Sequence, residues 1–410
     1  MAPSKKRSRK GSSKSPKKTR KGMAQTAEPS GFNDEDYNIR SSERTELLTQ
    51  IKEVFDGAPV SSTFWACCQL ADINRLRVIA ETDREIVIHF ERSTYFIPLQ
   101  WTQKLRDSNF GEPEAASERP KEPKSPKLNS GTKSSVSRSA KEVNNCKERD
   151  DHRCVLTRKP DPQAAHTFPY CMLNPRSTAD RNKTSNGIPE FWQSLRLFWD
   201  RDRIDKWKST IFQDPQNPYT GIDKCFNLLS LSSETHNMWN KGIFALKPLQ
   251  LSSDRKTLTV QLFWQVPTKY EIDSRIDLLT EPKSTKDLDF VEGYFLPRIH
   301  DDGLTRHDIR SGEVFTFTTK DPERLPLPSV ELLEMQWFLQ RLVGMSGAAR
   351  WPILDFDNDE SDDDNGWFVP DLTSDVDNSL ERVCEWVATR EAAGITPETT
   401  TPNPSIVPCY

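Results

Sequence analysis

Asn227-Leu228-Leu229-Ser230-Leu231-Ser232-Ser233-Glu234-Thr235-His236-Asn237-Met238-Trp239-Asn240-Lys241-Gly242 is the stretch on which the fold turns. It reads as a turn or short strand followed by a capped helix that Gly242 stops. Two β-like runs precede it in the chain. One is Arg153-Cys154-Val155-Leu156-Thr157. The other is Ala164-Ala165-His166-Thr167-Phe168-Pro169-Tyr170, which ends at a proline. Each piece alone has an ordinary explanation: a histidine satisfied within a strand, an asparagine punctuating a turn, a histidine packed beside a tryptophan.

Together the pieces resemble the HNH nuclease family, in the branch found in uncharacterised fungal proteins. There a Cys-x-x-Thr strand precedes Ala-Ala-His-x-x-Pro. An Asn-x-x-x-Leu-x-x-x-x-His helix follows, and then a Gly-x-Phe-x-Leu strand. Gly242-Ile243-Phe244-Ala245-Leu246 supplies the last of these. The resemblance covers Arg149 to Leu249. It continues more weakly to Gly347, where Leu333 to Leu339 looks like the closing helix. It implies an α+β fold with a ββα-metal finger inside a larger, mostly helical domain.

The resemblance also implies roles. Phosphodiester hydrolysis needs a base for water and neutralisation of charge at the phosphate. His166 matches the base, and a neutral imidazole with a pKa of about 6.5 suits that work. Asn227 matches the asparagine that braces the loop and holds the imidazole. His236 matches the helical metal ligand, and Asn240, one turn on, shares its face as a second ligand. The implied cofactor is a divalent ion, Mg2+ or Mn2+, with Zn2+ or Ni2+ as softer alternatives. Arg153, Arg158, Lys159 and Lys241 are the expected phosphate contacts. Two positions depart from the pattern. Ala165 stands where many relatives carry an Asp or His ligand, and Asn240 stands where Asp or His is frequent.

Cys154, Cys171 and Cys225 lie near the motif, but no Cys-x-x-Cys occurs, so buried free thiols are expected rather than a zinc clamp. The segment between His166 and Asn227 is longer than a compact finger needs. It carries a helical pattern through Phe191, Trp192, Leu195, Phe198, Trp199, Trp207 and Ile211. Its Arg196, Arg201, Arg203, Lys206 and Lys208 could meet phosphates. Asp200, Asp202 and Asp205 fit an ordinary solvated helix equally well. Leu258 to Trp264 reads as a strand and Ser329 to Val343 as a helix, apolar over so much of its girth that it is buried. His300 and His307 fall in the Asp- and Arg-rich stretch Arg298 to Arg310, read as loop.

Outward from this centre the 410-residue chain divides by composition. Residues 1–40 read as a disordered basic tail, with Lys5-Lys6-Arg7 and Lys17-Lys18-Thr19-Arg20-Lys21 as a two-part nuclear localisation signal. Non-specific phosphate binding and a merely solvated tail are the other readings. Residues 41–105 read as a small α+β unit. Leu47 to Phe55 form an amphipathic helix capped by Ser42 and ended by Gly57, and Leu76–Ala80 and Ile86–Phe90 form a hairpin. Residues 106–145 lack the apolar content to fold and read as a linker. Residues 146–347 form the nuclease-like domain with core 149–249. Residues 348–410 hold the acidic run Asp355 to Asp364, a helix through Leu380 and Val387, and a loose tail.

No apolar run approaches the ~18 residues of a membrane span, and the N-terminus lacks a secretory core. The expectation is a nuclear, metal-dependent endonuclease acting on DNA, or on nucleic acid generally, with an import receptor as partner. The rival is a catalytically inactive HNH-fold protein that binds nucleic acid or chromatin. A third reading is an interaction protein built on the acidic run 355–364.

Overall fold

The computed structural model describes residues 41–102, 105–106, 139–169, 172, 191–214, 221–265, 270–272, 274–286, 288–300, 302–350 and 354–355. The basic tail, most of the linker, Cys171, and the acidic run and C-terminal helix beyond Asp355 lie outside these residues.

In chain order the elements are α1 (Ser42–Val54), β1 (Val60–Ser61), α2 (Ser62–Leu70), α3 (Ile73–Ala80), α4 (Arg84–Ser93), α5 (Phe96–Trp101) and β2 (Leu105–Arg106). Then come α6 (Ala140–Arg149), β3 (Gln163–His166), α7 (Phe191–Leu195), α8 (Arg201–Ile211), β4 (Leu228–Leu231) and α9 (Ser233–Asn240). The chain continues through β5 (Phe244–Leu251), β6 (Thr257–Trp264), β7 (Arg275–Ile276), β8 (Pro297–Ile299), β9 (Arg306–Asp308), β10 (Val314–Thr318), α10 (Val330–Ser346) and β11 (Leu354–Asp355). Helices and strands are mixed, as an α+β fold requires.

Two cores meet on α10. The helical core joins Leu48 and Ile51 of α1, Phe64 and Trp65 of α2, and Trp207 and Ile211 of α8 to Met335, Leu339 and Leu342 of α10. The sheet core joins Leu229 and Leu231 of β4, Met238 and Trp239 of α9, Leu246 of β5, Leu262 of β6 and Phe315 of β10 to Leu333 of α10. The sheet there is antiparallel in the order β10-β6-β5, with Phe244 opposite Trp264 and Phe315 opposite Val260. A helix between two cores must be apolar nearly all round. Ser329 starts α10 by accepting from the Leu332 amide at 3.2 Å.

Three sequence expectations are corrected. Residues 41–105 are not a separate α+β unit. Their helices share the core of α7, α8 and α10, and the Asp72 carboxylate accepts from the Asp200 amide at 2.8 Å and pairs with Arg203 at 3.2 Å. The expected hairpin at Leu76–Ala80 and Ile86–Phe90 is instead α3 and α4. Isoleucine and valine there suggest strand, but Asp83 caps α4 and Leu76, Ile79, Val87 and Phe90 bury at helical spacing. The linker ends earlier than residue 145, because Ser139 caps α6 through the Glu142 amide. A smaller difference concerns α1, whose cap is Ser41 rather than Ser42.

The pattern from Phe191 to Ile211 divides into α7 and α8. Its arginines are paired: Arg196 and Arg201 reach Asp205, and Arg203 reaches Asp72 and Glu334. That pairing favours the solvated-helix reading over phosphate contact. If the helical core is shared, Phe64→Ala lowers the stability of the whole molecule by ~3–5 kcal/mol. Denaturant unfolding followed by far-UV circular dichroism would show one displaced transition. Two transitions, only one of them moved, would mean that residues 41–102 fold alone.

Candidate functional site

β3 and β4 pair antiparallel, with Ala165 opposite Leu229 and His166 opposite Leu228, and α9 follows β4 after one residue. Ser232 caps α9 by accepting from the Thr235 amide at 3.4 Å. Gly242 ends it in the left-handed region at φ +68°, where an added Cβ would come within 2.8 Å of Val343 and Gln340 on α10. The Gln340 amide also donates to the Trp239 carbonyl at 2.6 Å. The Trp239 indole donates to the His166 carbonyl at 3.1 Å, which ties the helix to the end of β3.

The structure brings His166 and Asn227 together. The fully buried Asn227 side chain accepts from the Phe168 amide at 2.7 Å and donates to the Phe168 and Ile222 carbonyls at 3.2 and 2.9 Å. The Thr167 amide donates to the Asn227 carbonyl at 2.8 Å. Asn227 therefore fixes the backbone directly after His166. The imidazole itself is held by another residue. His166 Nε2 lies 3.1 Å from Asp223 Oδ1, and Asp223 Oδ2 accepts from the Ser139 amide at 3.2 Å. With Nε2 as donor, Nδ1 carries the lone pair.

His236 and Asn240 lie one turn apart on α9, with Asn240 exposed. His236 Nδ1 stands 2.9 Å from Gln163 Oε1. With Nδ1 donating to that amide oxygen, Gln163 orients the His236 ring. The two candidate ligands on α9, His236 and Asn240, are neutral, an imidazole and an amide, and Ala165 is buried. No group of three or more His, Cys, Asp or Glu among the described residues could hold a metal ion. This set suits an imidazole-seeking ion completed by phosphate and water better than Mg2+, which favours carboxylate oxygens.

The expected phosphate contacts lie toward both ends of α9. Arg153 to Thr157 is a turn rather than a strand. It is closed by the Arg153–Pro160 bridge and tied to β4 where the Val155 amide donates to the Ser230 carbonyl at 2.9 Å. Arg153 donates to the Arg158 carbonyl at 3.1 Å, and Arg158 has φ +60°. Lys159 pairs with Glu234 at 2.6 Å, in the first turn of α9. Lys241 lies at the other end, 3.3 Å from the Tyr294 hydroxyl and over its ring. An eight-residue helix puts roughly 12 Å between these ends.

The sequence does not signal three features of the site. Asp223 and Gln163 belong to no motif, and Gln163 could be found only from its place three residues before His166 in the same strand. The third is the buried pair Arg149–Asp150, at 2.7 Å. Burial opposes the Arg149 charge, but the Asp150 carboxylate together with the Cys146 and Cys225 sulfurs holds the guanidinium pKa above its ordinary value. Burial pushes the Cys146 thiol up to about 12 and the Cys225 thiol up to about 11. Together with buried, unpaired Cys154, these are free thiols rather than a thiolate clamp.

Residues 154–247 match the family model described as HNH endonuclease, a span of less than a quarter of the chain. This segment is thus similar to a class of nucleic-acid-cleaving enzymes. No curated protein and no solved structure matches the chain. No helix among the described residues is long and apolar enough to cross a membrane.

Asp150→Ala would strand the Arg149 charge among buried groups. Urea unfolding should show a loss of ~3–5 kcal/mol. A loss within about 1 kcal/mol, the range of an exposed pair, would mean that the ion pair is not buried in solution.

Proposed function

We propose that residues 154–247 are the catalytic part of a metal-dependent endonuclease in which β3, β4 and α9 form the ββα-metal finger. The observation that carries this reading is the placing of His166 at the end of β3, braced by Asn227, beside the helix that bears His236. His166 acts as the base. Asp223 orients the imidazole from Nε2. Asn227 holds the loop on which the imidazole rests. His236 and Asn240 are the residues that would hold a divalent ion, and that ion would offset charge on the scissile phosphate. Gln163 orients His236. By the same motif residues we place the chain in the fungal branch of the family. DNA in the nucleus is the proposed substrate, reached through an import receptor that reads the basic tail.

Nicking of supercoiled plasmid tests this with Mg2+, Mn2+, Ni2+ and Zn2+ in turn. His166→Ala should lower the rate by ~10²–10⁴-fold. His236→Ala should lower it and shift the metal dependence. Asp223→Asn should give a smaller loss together with an altered pH profile, since the imidazole would lose its anionic partner. A second reading is favoured by Ala165 and by the neutral Asn240 one turn from His236: a finger that binds nucleic acid without cutting it. Folded protein that binds DNA with a steep salt dependence, yet nicks with no metal, would establish that reading instead.

A further inference from the structure

We infer that His300 and His307 form a binding site for a transition-metal ion, on the β8–β9 hairpin and independent of the nuclease reading. In β8 and β9, Arg298 pairs with His307, and the His300 amide extends the ladder by donating to the Thr305 carbonyl at 2.9 Å. His300 and His307 are thus diagonal neighbours on one face of the ribbon, a separation side chains can span. His307 Nδ1 lies 2.9 Å from His300 Nε2.

The surroundings are those of a ligand pair. The other nitrogen of His307, Nε2, lies 3.0 Å from Glu313 Oε1. Glu313 Oε2 accepts from the Arg310 amide at 3.2 Å, so the carboxylate is itself held in place. A carboxylate on the outer nitrogen fixes the tautomer and orients the inner lone pair, as it does for metal-bound imidazoles. That lone pair faces His300. Asp302 adds a negative charge near His300. The Thr305 hydroxyl and amide and the Leu304 amide donate to its carboxylate.

The bite distance suits specific ions. At a metal–nitrogen distance of ~2.05 Å, two cis imidazoles of a square or octahedral ion lie ~2.9 Å apart, and two on a tetrahedral ion ~3.3 Å apart. The observed 2.9 Å falls at the first value. Cu2+ and Ni2+ therefore fit the nitrogens nearly where they stand, and Zn2+ would need them to part by a few tenths of an ångström. On binding, His300 changes tautomer as its Nε2 proton passes through solvent to Nδ1, and no net charge is lost. Two protein ligands and water complete the site, consistent with the lack of any three-residue cluster among the described residues.

Isothermal titration of the full chain with Ni2+, and separately with Zn2+, tests the site. His166→Ala/His236→Ala should keep one Ni2+ equivalent, and His300→Ala/His307→Ala should lose it. Glu313→Gln should weaken it by ~10–100-fold. His300→Ala alone, at an exposed position, should give the same loss should the double variant not fold. Wild-type stoichiometry and affinity in the His300→Ala variant, or loss in His166→Ala/His236→Ala instead, would overturn the assignment. These outcomes are read without any measure of cleavage.

Discussion

Arg149 and Asp150 form the interaction on which the pairing of β3 and β4 depends. Among the described residues β4 pairs with β3 alone, so its other edge must find partners or leave polar groups buried. Side chains take the place of a third strand there. Arg149 donates to the Leu228 carbonyl at 2.8 Å, Asp150 accepts from the Ser230 amide at 3.0 Å, and the Val155 amide meets the Ser230 carbonyl. Burying two charges is costly unless every donor is used. Here all five guanidinium N–H groups have oxygen acceptors: two on Asp150, and one each on Cys225, Pro326 and Leu228. One residue thus joins α6, the approach to Asn227, β4 and the segment leading to α10.

Much of this architecture was legible in the sequence where a pattern is local. α10 shows itself by its apolar girth, β6 by its β-rich run, and α9 by its cap and terminal glycine. The helices α3 and α4 were not legible as such, because their isoleucines and valines carry the strand signal and only the tertiary core selects the helix. α6 is hidden for the opposite reason. It buries only Cys146 and Arg149, so it has no apolar stripe to read.

The candidate site divides along the same line. His166, Asn227 and His236 belong to motifs with fixed spacing, and the sequence singles them out. Asp223 and Gln163 gain their places from the fold. Asp223 reaches His166 because the chain returns to β3 after forming α7 and α8, and Gln163 reaches His236 because α9 packs across β3. No spacing rule contains either contact. The pairing of Lys159 with Glu234 was equally invisible, since the two residues stand on separate elements.

The long segment between His166 and Asn227 has a structural consequence beyond its length. Ala165 packs in the sheet core, whereas Phe168 packs in the helical core, against Trp101, Trp192 and Phe212. His166 lies between them, at the point where the chain leaves one core for the other. Asn227 closes that crossing by binding Phe168 from the start of β4. A compact finger could position its histidine from its own two strands. Here the backbone that carries His166 is fixed from both sides, so the helices of residues 41–102 help to set the geometry of a site that none of their own residues enters.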